Sequence, residues 1–275
     1  NIKESWQFGK KLSTRNYDLG LNIHGNWRTV ALMKIINPDL IIGLGERGKG
    51  LFMDYQLSSA ENQHMVQVYL DYLSQLNLNI RLGDQTELMV IEKAKKTVTN
   101  SLLPKKALQA EKKLVGLNTG GSWPTKRWSK NSFAELADML QNQPGIEVVF
   151  MGGPGDVERV NEIIDQMETS PLNTAGKTIL NELAALAAEC DLVISGDSGP
   201  VHVAAAVGTP TITLFGPSDE TKYRPYGQGH QIIKNEIECR PCGEHHCPLE
   251  HHNCMEGIKV GDVLEKVKKV GGFYL

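Results

Sequence analysis

Short apolar runs alternate with amphipathic stretches along most of the chain, and small residues interrupt the pattern where one gives way to the other. Residues 17–23 read as a strand that runs into His24-Gly25-Asn26. The spacing after it predicts a helix over 27–36, ending near Asn37-Pro38 because proline cannot continue a helix. Residues 40–42 form a short strand. Val66, Tyr69, Leu70, Leu73 and Leu76 recur at helical spacing and predict a helix over 63–76. A Lys- and Ala-rich stretch over 92–112, interrupted by Pro104, marks the junction between two parts of the chain, 1–108 and 109–275.

The alternation is clearer in the second part. Strands are predicted over 114–117, 147–150, 191–195 and 211–215. Helices are predicted from an N-cap at Ser129 through 140, and over 156–167, 180–188, 201–207 and 260–270. Strands that alternate with helices imply an α/β fold, a parallel sheet covered on both faces. Ligands of such sheets sit at the carboxyl ends of the strands, so the loops after strands are the candidate sites.

The segment Ser195-Gly196-Asp197-Ser198-Gly199-Pro200-Val201-His202 leaves a strand and opens a helix. The free N–H groups and partial positive charge of a helix N-terminus suit a phosphate. Gly196 and Gly199 let the backbone turn and approach a ligand, and Ser198 adds a hydroxyl. Asp197 either caps N–H groups or accepts from sugar hydroxyls, and His202 points back at the loop from one turn into the helix. A capped helix start with a buried histidine is the competing reading, and spacing alone does not choose between the two.

A second loop, Asn118-Thr119-Gly120-Gly121-Ser122, is followed by Lys126-Arg127-Trp128. Lys126 offers a point charge to a pyrophosphate, or is an ordinary solvated cation; Trp128 is expected in the core behind it. A third, Gly152-Gly153-Pro154-Gly155-Asp156-Val157-Glu158, is glycine-rich but lacks the G-x-G-x-x-G pattern of dinucleotide sites. Glu158 either accepts from ribose hydroxyls or simply complements the helix dipole. A fourth, Leu214-Phe215-Gly216-Pro217-Ser218, reads as a structural wall. Three such loops at successive strand ends converge on one anion-binding cleft, which is a stronger signal than any single loop.

Composition narrows the setting. With 275 residues, 40% of them hydrophobic, the chain can bury one large core or two medium ones. No run of about eighteen apolar residues occurs, and the opening Asn-Ile-Lys-Glu-Ser-Trp has no apolar signal-peptide core, so a cytoplasmic location is expected. Residues 1–108 carry 14 Lys/Arg against 10 Asp/Glu, and the remainder 15 against 22. A basic first part could meet an anionic partner such as a membrane surface, but no Lys/Arg run is dense, which favours ordinary solvated charge.

Cys239, Cys242, Cys247 and Cys254 cluster in the spacing C-x2-C-x4-C-x6-C, interleaved with His245, His246, His251 and His252. Thiolates and imidazoles suit zinc or an iron–sulfur cluster, although the second pair is not a CxxC. Disulfides are not expected in a cytoplasmic protein. The alternative is a loop of reduced cysteines packed near the cleft.

Taken together, these segments resemble glycosyltransferase family 9, the heptosyltransferases. The resemblance is carried by residues 120–128 with Lys126-Arg127-Trp128, by 152–158, and by Asp197-Ser198-Gly199-Pro200-Val201-His202 with Phe215-Gly216-Pro217-Ser218 downstream. The cysteine-containing ending, Cys239-Arg240-Pro241-Cys242 through Cys254-Met255, recurs in a branch of that family, and residues 22–28 match a strand-end loop of its first domain. The resemblance implies a GT-B architecture, two Rossmann-like domains facing across a cleft, with the nucleotide sugar bound by residues 109–275. It implies an ADP-heptose donor and inverting transfer to a lipid-linked glycan acceptor, lipopolysaccharide core or another surface glycan, at the inner face of the membrane, with peripheral membrane association and no nucleic-acid partner. Lys126 would contact phosphate or sugar, Gly121 and Ser122 would belong to the phosphate loop, Glu158 would bind ribose, and Thr178 would lie by the base. The Ser198 and Gly199 amides would cradle the pyrophosphate, Asp197 would bind the transferred sugar, and His202 would support the loop. Lys126 and Asp197 are the expected catalytic residues.

No Asp-x-Asp pair stands beside the phosphate loops, so transfer without a divalent metal or other cofactor is expected. The resemblance favours reduced, metal-free cysteines. It also implies an opening strand and a Gly-Asp-Val turn whose aspartate serves as general base. No such turn stands near the N-terminus, and Gly261-Asp262-Val263 opens the last predicted helix. The base and the first strand–helix units are therefore expected either upstream of this chain or absent from the protein. Two other readings stay open: a nucleotide-binding or assembly module without turnover, and a GT-B UDP-sugar epimerase.

Overall fold

In a computed structural model of the chain, residues 2–44, 49–57, 62–74, 83–109, 111–270 and 272–273 are described. They form two compact units, residues 1–82 and 83–275.

The first unit holds α1 (Ile2–Ser13), β1 (Leu19–Asn22), α2 (Trp27–Ile36), β2 (Leu40–Leu44), β3 (Tyr55–Leu57) and α3 (Met65–Ser74). Its three strands pair in parallel in the order β1-β2-β3. Helix α2 has the predicted bounds because both ends are chemically marked. Asn26 caps the start by accepting from Thr29 N at 2.9 Å, and Asn37 ends it in the left-handed conformation that asparagine tolerates, at φ 55°. Ile42, Leu57 and Val68 form the core of the unit. Helix α1 was not predicted. Gly9 is its one buried residue, and a Cβ there would meet the Ile35 side chain of α2 at 2.6 Å, so contact comes from a small residue rather than an apolar stripe. Residues 75 and 76 of the predicted 63–76 helix lie outside the described residues.

The second unit continues with α4 (Glu92–Thr97), β4 (Lys113–Asn118), α5 (Lys130–Gln141), β5 (Ile146–Met151), α6 (Val157–Ile164), β6 (Leu172–Asn173) and α7 (Leu180–Glu189). It ends with β7 (Leu192–Gly196), α8 (Gly199–Ala206), β8 (Thr211–Phe215), α9 (Glu220–Tyr223), β9 (His230–Lys234), α10 (Asn253–Glu256) and α11 (Val260–Lys269). Six strands form one parallel sheet in the order β6-β5-β4-β7-β8-β9. This is a doubly wound Rossmann-type order, and it reverses between β4 and β7.

Both faces of the sheet are covered. Val115, Leu117, Val148, Phe150 and Ile194 share one apolar core with Phe133, Leu136 and Val263. Leu114, Val149 and Val193 share the other with Ala94, Leu186 and Ala204. Adjacent residues of one strand thus serve opposite layers, as the two-residue period of a strand requires. Trp128 is in the core as expected: it is 1% exposed, donates Nε1–H to Ile258 O at 3.0 Å and meets Phe133 edge-on. Strands β6 and β9 were not predicted. The first has two residues, and the second is an edge strand with a single buried residue, so neither shows an apolar run.

Packing sets the division between the units at 82/83. The segment 83–108, read with the first part on composition, packs on the second. Val98 is fully buried against its core, Leu88 N donates to Ala206 O at 2.7 Å, and Lys95 reaches Glu189 at 3.7 Å.

Candidate functional site

The reversal between β4 and β7 sets the loops after these two strands side by side. Asn118 and Ser195 are register partners at the strand ends. The buried Asn118 donates from Nδ2 to Ser195 Oγ at 2.9 Å and to Ser198 Oγ at 3.0 Å, which ties the loops together. Asn118 Oδ1 and Thr119 Oγ1 are buried without a hydrogen-bond partner, and the buried Ser218 hydroxyl stands by the Asp197 carboxylate. A buried polar atom left unpaired costs about 1–3 kcal/mol, so orphans gathered at strand ends are groups suited to a ligand.

Asp197 follows β7 and Lys126 ends the short turn Pro124–Lys126 after β4. Lys126 Nζ donates to Asp197 Oδ2 at 2.7 Å and lies 4.4 Å from the Trp123 ring centroid, whose other neighbour is the His245 ring at 3.8 Å. His202 Nε2 is 3.7 Å from Asp197 Oδ1. Burial pushes the Asp197 carboxyl up, but His202 and Lys126 beside it outweigh burial and hold it below the usual carboxylate value. Asp197 is therefore a buried anion whose charge is matched by a half-buried cation.

These residues border a pocket of about 590 Å³. Trp123, Lys126, Asp197, Pro217, Ser218, Asp219, Lys222, Tyr223 and residues 241–243 line it. The Gly216-Pro217-Ser218 loop is the wall the sequence implied, and it also contributes the buried Ser218 hydroxyl beside Asp197. Arg240 holds that wall: Nε donates to Gly216 O at 3.1 Å, and one terminal nitrogen donates to Ser218 O and to Glu220 Oε2 at 2.8 Å. Lys234 donates to the other Glu220 oxygen at 2.6 Å. Burial raises the Glu220 carboxyl, and Arg240 and Lys234 more than reverse this and bring it to about 2.

The expected phosphate-loop residues lie along the same edge of the sheet. Ser198 stands at the N-cap of α8, but its hydroxyl turns to Asn118 and Ser195 and caps no N–H group. Gly199 opens the helix, exposed, with free space where a Cβ would be. His202 is half-exposed. The competing reading of a capped helix start with a buried histidine therefore fails on both counts. Gly121 O accepts from Arg127 Nε at 2.9 Å, and Ser122 is exposed beside it. Glu158 is exposed in the first turn of α6 after β5, and Thr178 precedes α7 after β6. Of the predicted site residues, Lys126 and Asp197 line the pocket, and Gly121, Ser122, Glu158, Thr178, Ser198, Gly199 and His202 lie outside its lining. A Cβ at Gly120 would run into the Asp156 carboxylate, which accepts from Gly153 N at 2.9 Å, so this glycine permits close approach of two loops.

The sequence model of glycosyltransferase family 9 (heptosyltransferase) matches residues 5–253. The chain belongs to glycosyltransferase family 9. A lipooligosaccharide heptosyltransferase 2 from Campylobacter jejuni is 34% identical over 168 residues, a stretch that takes in 59% of this chain and 53% of the relative. The match thus spans about half the length of that relative. Lipopolysaccharide heptosyltransferase 3 of Escherichia coli is 32% identical over 232 residues, 82% of this chain and 66% of the relative. A solved family 9 structure from Veillonella parvula superposes with a TM-score of 0.79 at 26% identity, over 98% of this chain and 78% of the other. The fold of this family 9 chain is of the GT-B class.

Several residues of this family 9 pocket were not visible as such in the sequence: Trp123, Asp219, Lys222, Tyr223, and Arg240 behind them. Lys222 and Tyr223 carry a signal, a four-residue helix with Asp219 as its cap immediately after a strand-end loop. Arg240 carries none, because its partners are 20 to 24 residues away. The five cysteines are free thiols. Among the described residues, no three His, Cys, Asp or Glu side chains stand at metal-ligand spacing, and no helix is long and apolar enough to cross a membrane.

Proposed function

We propose that this chain carries the nucleotide-sugar site of a heptosyltransferase, which moves heptose with inversion from ADP-heptose to a lipopolysaccharide-core or related surface-glycan acceptor. The observation that carries the reading is the switch-point pocket, where Lys126, Asp197 and the Ser218 hydroxyl meet. As the anomeric bond to ADP breaks, negative charge grows on the pyrophosphate. The amides of Ser198 and Gly199 and the Lys126 ammonium are fixed donors for that charge, which is where such groups lower a barrier most. Asp197, held ionised, accepts from hydroxyls of the transferred sugar, and His202 keeps its carboxylate in place. Gly121 and Ser122 border the phosphates, Glu158 takes the ribose, and Thr178 lies toward the base.

The acceptor is a lipid-linked glycan, met at the cytoplasmic face of the inner membrane by peripheral association. Support comes from α1, where Ile2, Trp6 and Phe8 are exposed beside Lys3, Lys10 and Lys11. Calorimetric titration with ADP, UDP and GDP tests the core of the reading. Selective ADP binding, weakened in Lys126→Ala, is expected. Preference for UDP would point to an epimerase-type donor site, and binding unaffected by the substitution would remove Lys126 from it.

A further inference from the structure

Behind the wall of the main pocket lies a second cavity of about 20 Å³, bordered by Cys239, Cys242, Cys247 and Cys254. Three come from the loop between β9 and α10 and Cys254 from α10 itself, and all are free thiols. The space is about that of a single water or ion, and four sulfur-bearing side chains border it.

We propose that this loop is a metal site in which the four cysteine thiolates bind one soft divalent cation, zinc or ferrous iron. As the side chains stand, the sulfurs are not at ligand spacing. Rotation about χ1 between staggered positions moves a sulfur through the cavity without moving the backbone. In the bound state proposed, four thiolates would hold a tetrahedral ion at about 2.3 Å, and each thiol would release its proton to solvent. A space of this size takes one ion, not a multi-iron cluster.

The site is structural, and its place explains its use. Thr125 donates its hydroxyl to Glu244 O at 2.7 Å, His252 Nε2 donates to Thr125 O at 2.7 Å, and Gly243 N donates to Pro217 O at 2.9 Å. Thr125 adjoins Lys126 and Pro217 adjoins Ser218, so an ion that fixes the loop fixes the wall of the nucleotide pocket. Cys242 borders both cavities.

The test is elemental analysis of protein purified under reducing, oxygen-free conditions from medium containing zinc and iron. About one ion per chain is expected, lost in Cys242→Ser and in Cys254→Ser and kept in Cys190→Ser, whose thiol lies in another core. Should the serine variants fail to fold, cobalt(II) loading of the unaltered protein decides. A tetrahedral thiolate site gives intense visible bands and a near-ultraviolet charge-transfer band. Folded protein with neither metal nor a cobalt spectrum overturns the proposal, as does a disulfide among the four cysteines under these conditions. None of these readouts involves nucleotide, so their failure is separate from failure of the heptosyltransferase reading.

Discussion

Lys126 Nζ lies 2.7 Å from Asp197 Oδ2, and the two residues come from loops on either side of the point where the strand order reverses. The pair therefore serves two ends. It neutralises a carboxylate that is 5% exposed, and it holds an ammonium in the lining of a pocket of about 590 Å³. Lys126→Met should lower stability by about 1.5–3 kcal/mol, because it strands a buried charge that has lost its charge-assisted hydrogen bond. ADP affinity should fall about 10- to 100-fold with it. The double variant Lys126→Met/Asp197→Asn should recover most of the stability and none of the affinity. Denaturant unfolding read beside calorimetry checks this. Recovery of both would mean that the pair is only structural.

Two glycines of the same segment should separate folding from binding. A Cβ at Gly196 would stand 2.7 Å from Lys126 O, a backbone atom that cannot swing away. Gly196→Ala should destabilise the protein by about 1–3 kcal/mol. At Gly199 a Cβ meets nothing within 4 Å, so Gly199→Ala should leave stability within about 1 kcal/mol. With the pyrophosphate on the first turn of α8, as proposed, the same methyl would intrude on it, and ADP should bind less tightly. Thermal melting and titration of both variants give the comparison. Unchanged ADP binding by Gly199→Ala would move the phosphates away from α8.

These contrasts show which parts of the molecule local sequence can display. Asn26, Asn37 and Ser129 end or begin helices through their own backbone neighbours, so those boundaries are written within four residues. The central strands of the second sheet, β4, β5, β7 and β8, are buried on both faces and read as apolar runs. The three candidate loops follow from where those runs stop. Helix α1 escapes because its buried contact is a glycine, and β9 because an edge strand needs few apolar residues. Arg240 and the Trp123–His245 stack escape for a different reason. Their partners are distant in sequence and come together only once β8, β9 and the cysteine-bearing loop are in place.

Glu220 makes the acid limb of stability a readout of that assembly. Its carboxyl sits at about 2 in the folded protein against an ordinary 4.5. The folded state thus binds this proton less readily than the unfolded chain does, and stability rises with pH across the interval. The contribution is complete above about 4.5 and is lost as pH falls through about 2. Glu220→Gln should flatten the dependence of melting temperature on pH between these limits and leave the slope elsewhere unchanged. An unaltered acid limb would show that Arg240 and Lys234 do not hold the carboxylate in solution.

Transfer should not need magnesium, because both carboxylates that face the pocket are engaged. Asp197 is held by Lys126 at 2.7 Å. Asp219 caps α9 through Thr221 N at 2.9 Å and stands 3.9 Å from Lys222. A magnesium ion bound through protein requires one or two free carboxylates beside the substrate phosphates, and recruiting either of these would break an existing pair. In the proposed reaction Lys126 and the α8 amides would supply positive charge to the leaving pyrophosphate in its place. Initial rates with ADP-heptose and a core acceptor should be the same in magnesium and in millimolar EDTA. A tightly held ion in the cysteine loop would not confuse the result, since only a weakly bound cation is restored by adding magnesium alone. Activity abolished by EDTA and recovered with magnesium would show that a cation, not Lys126, carries the charge of the leaving group.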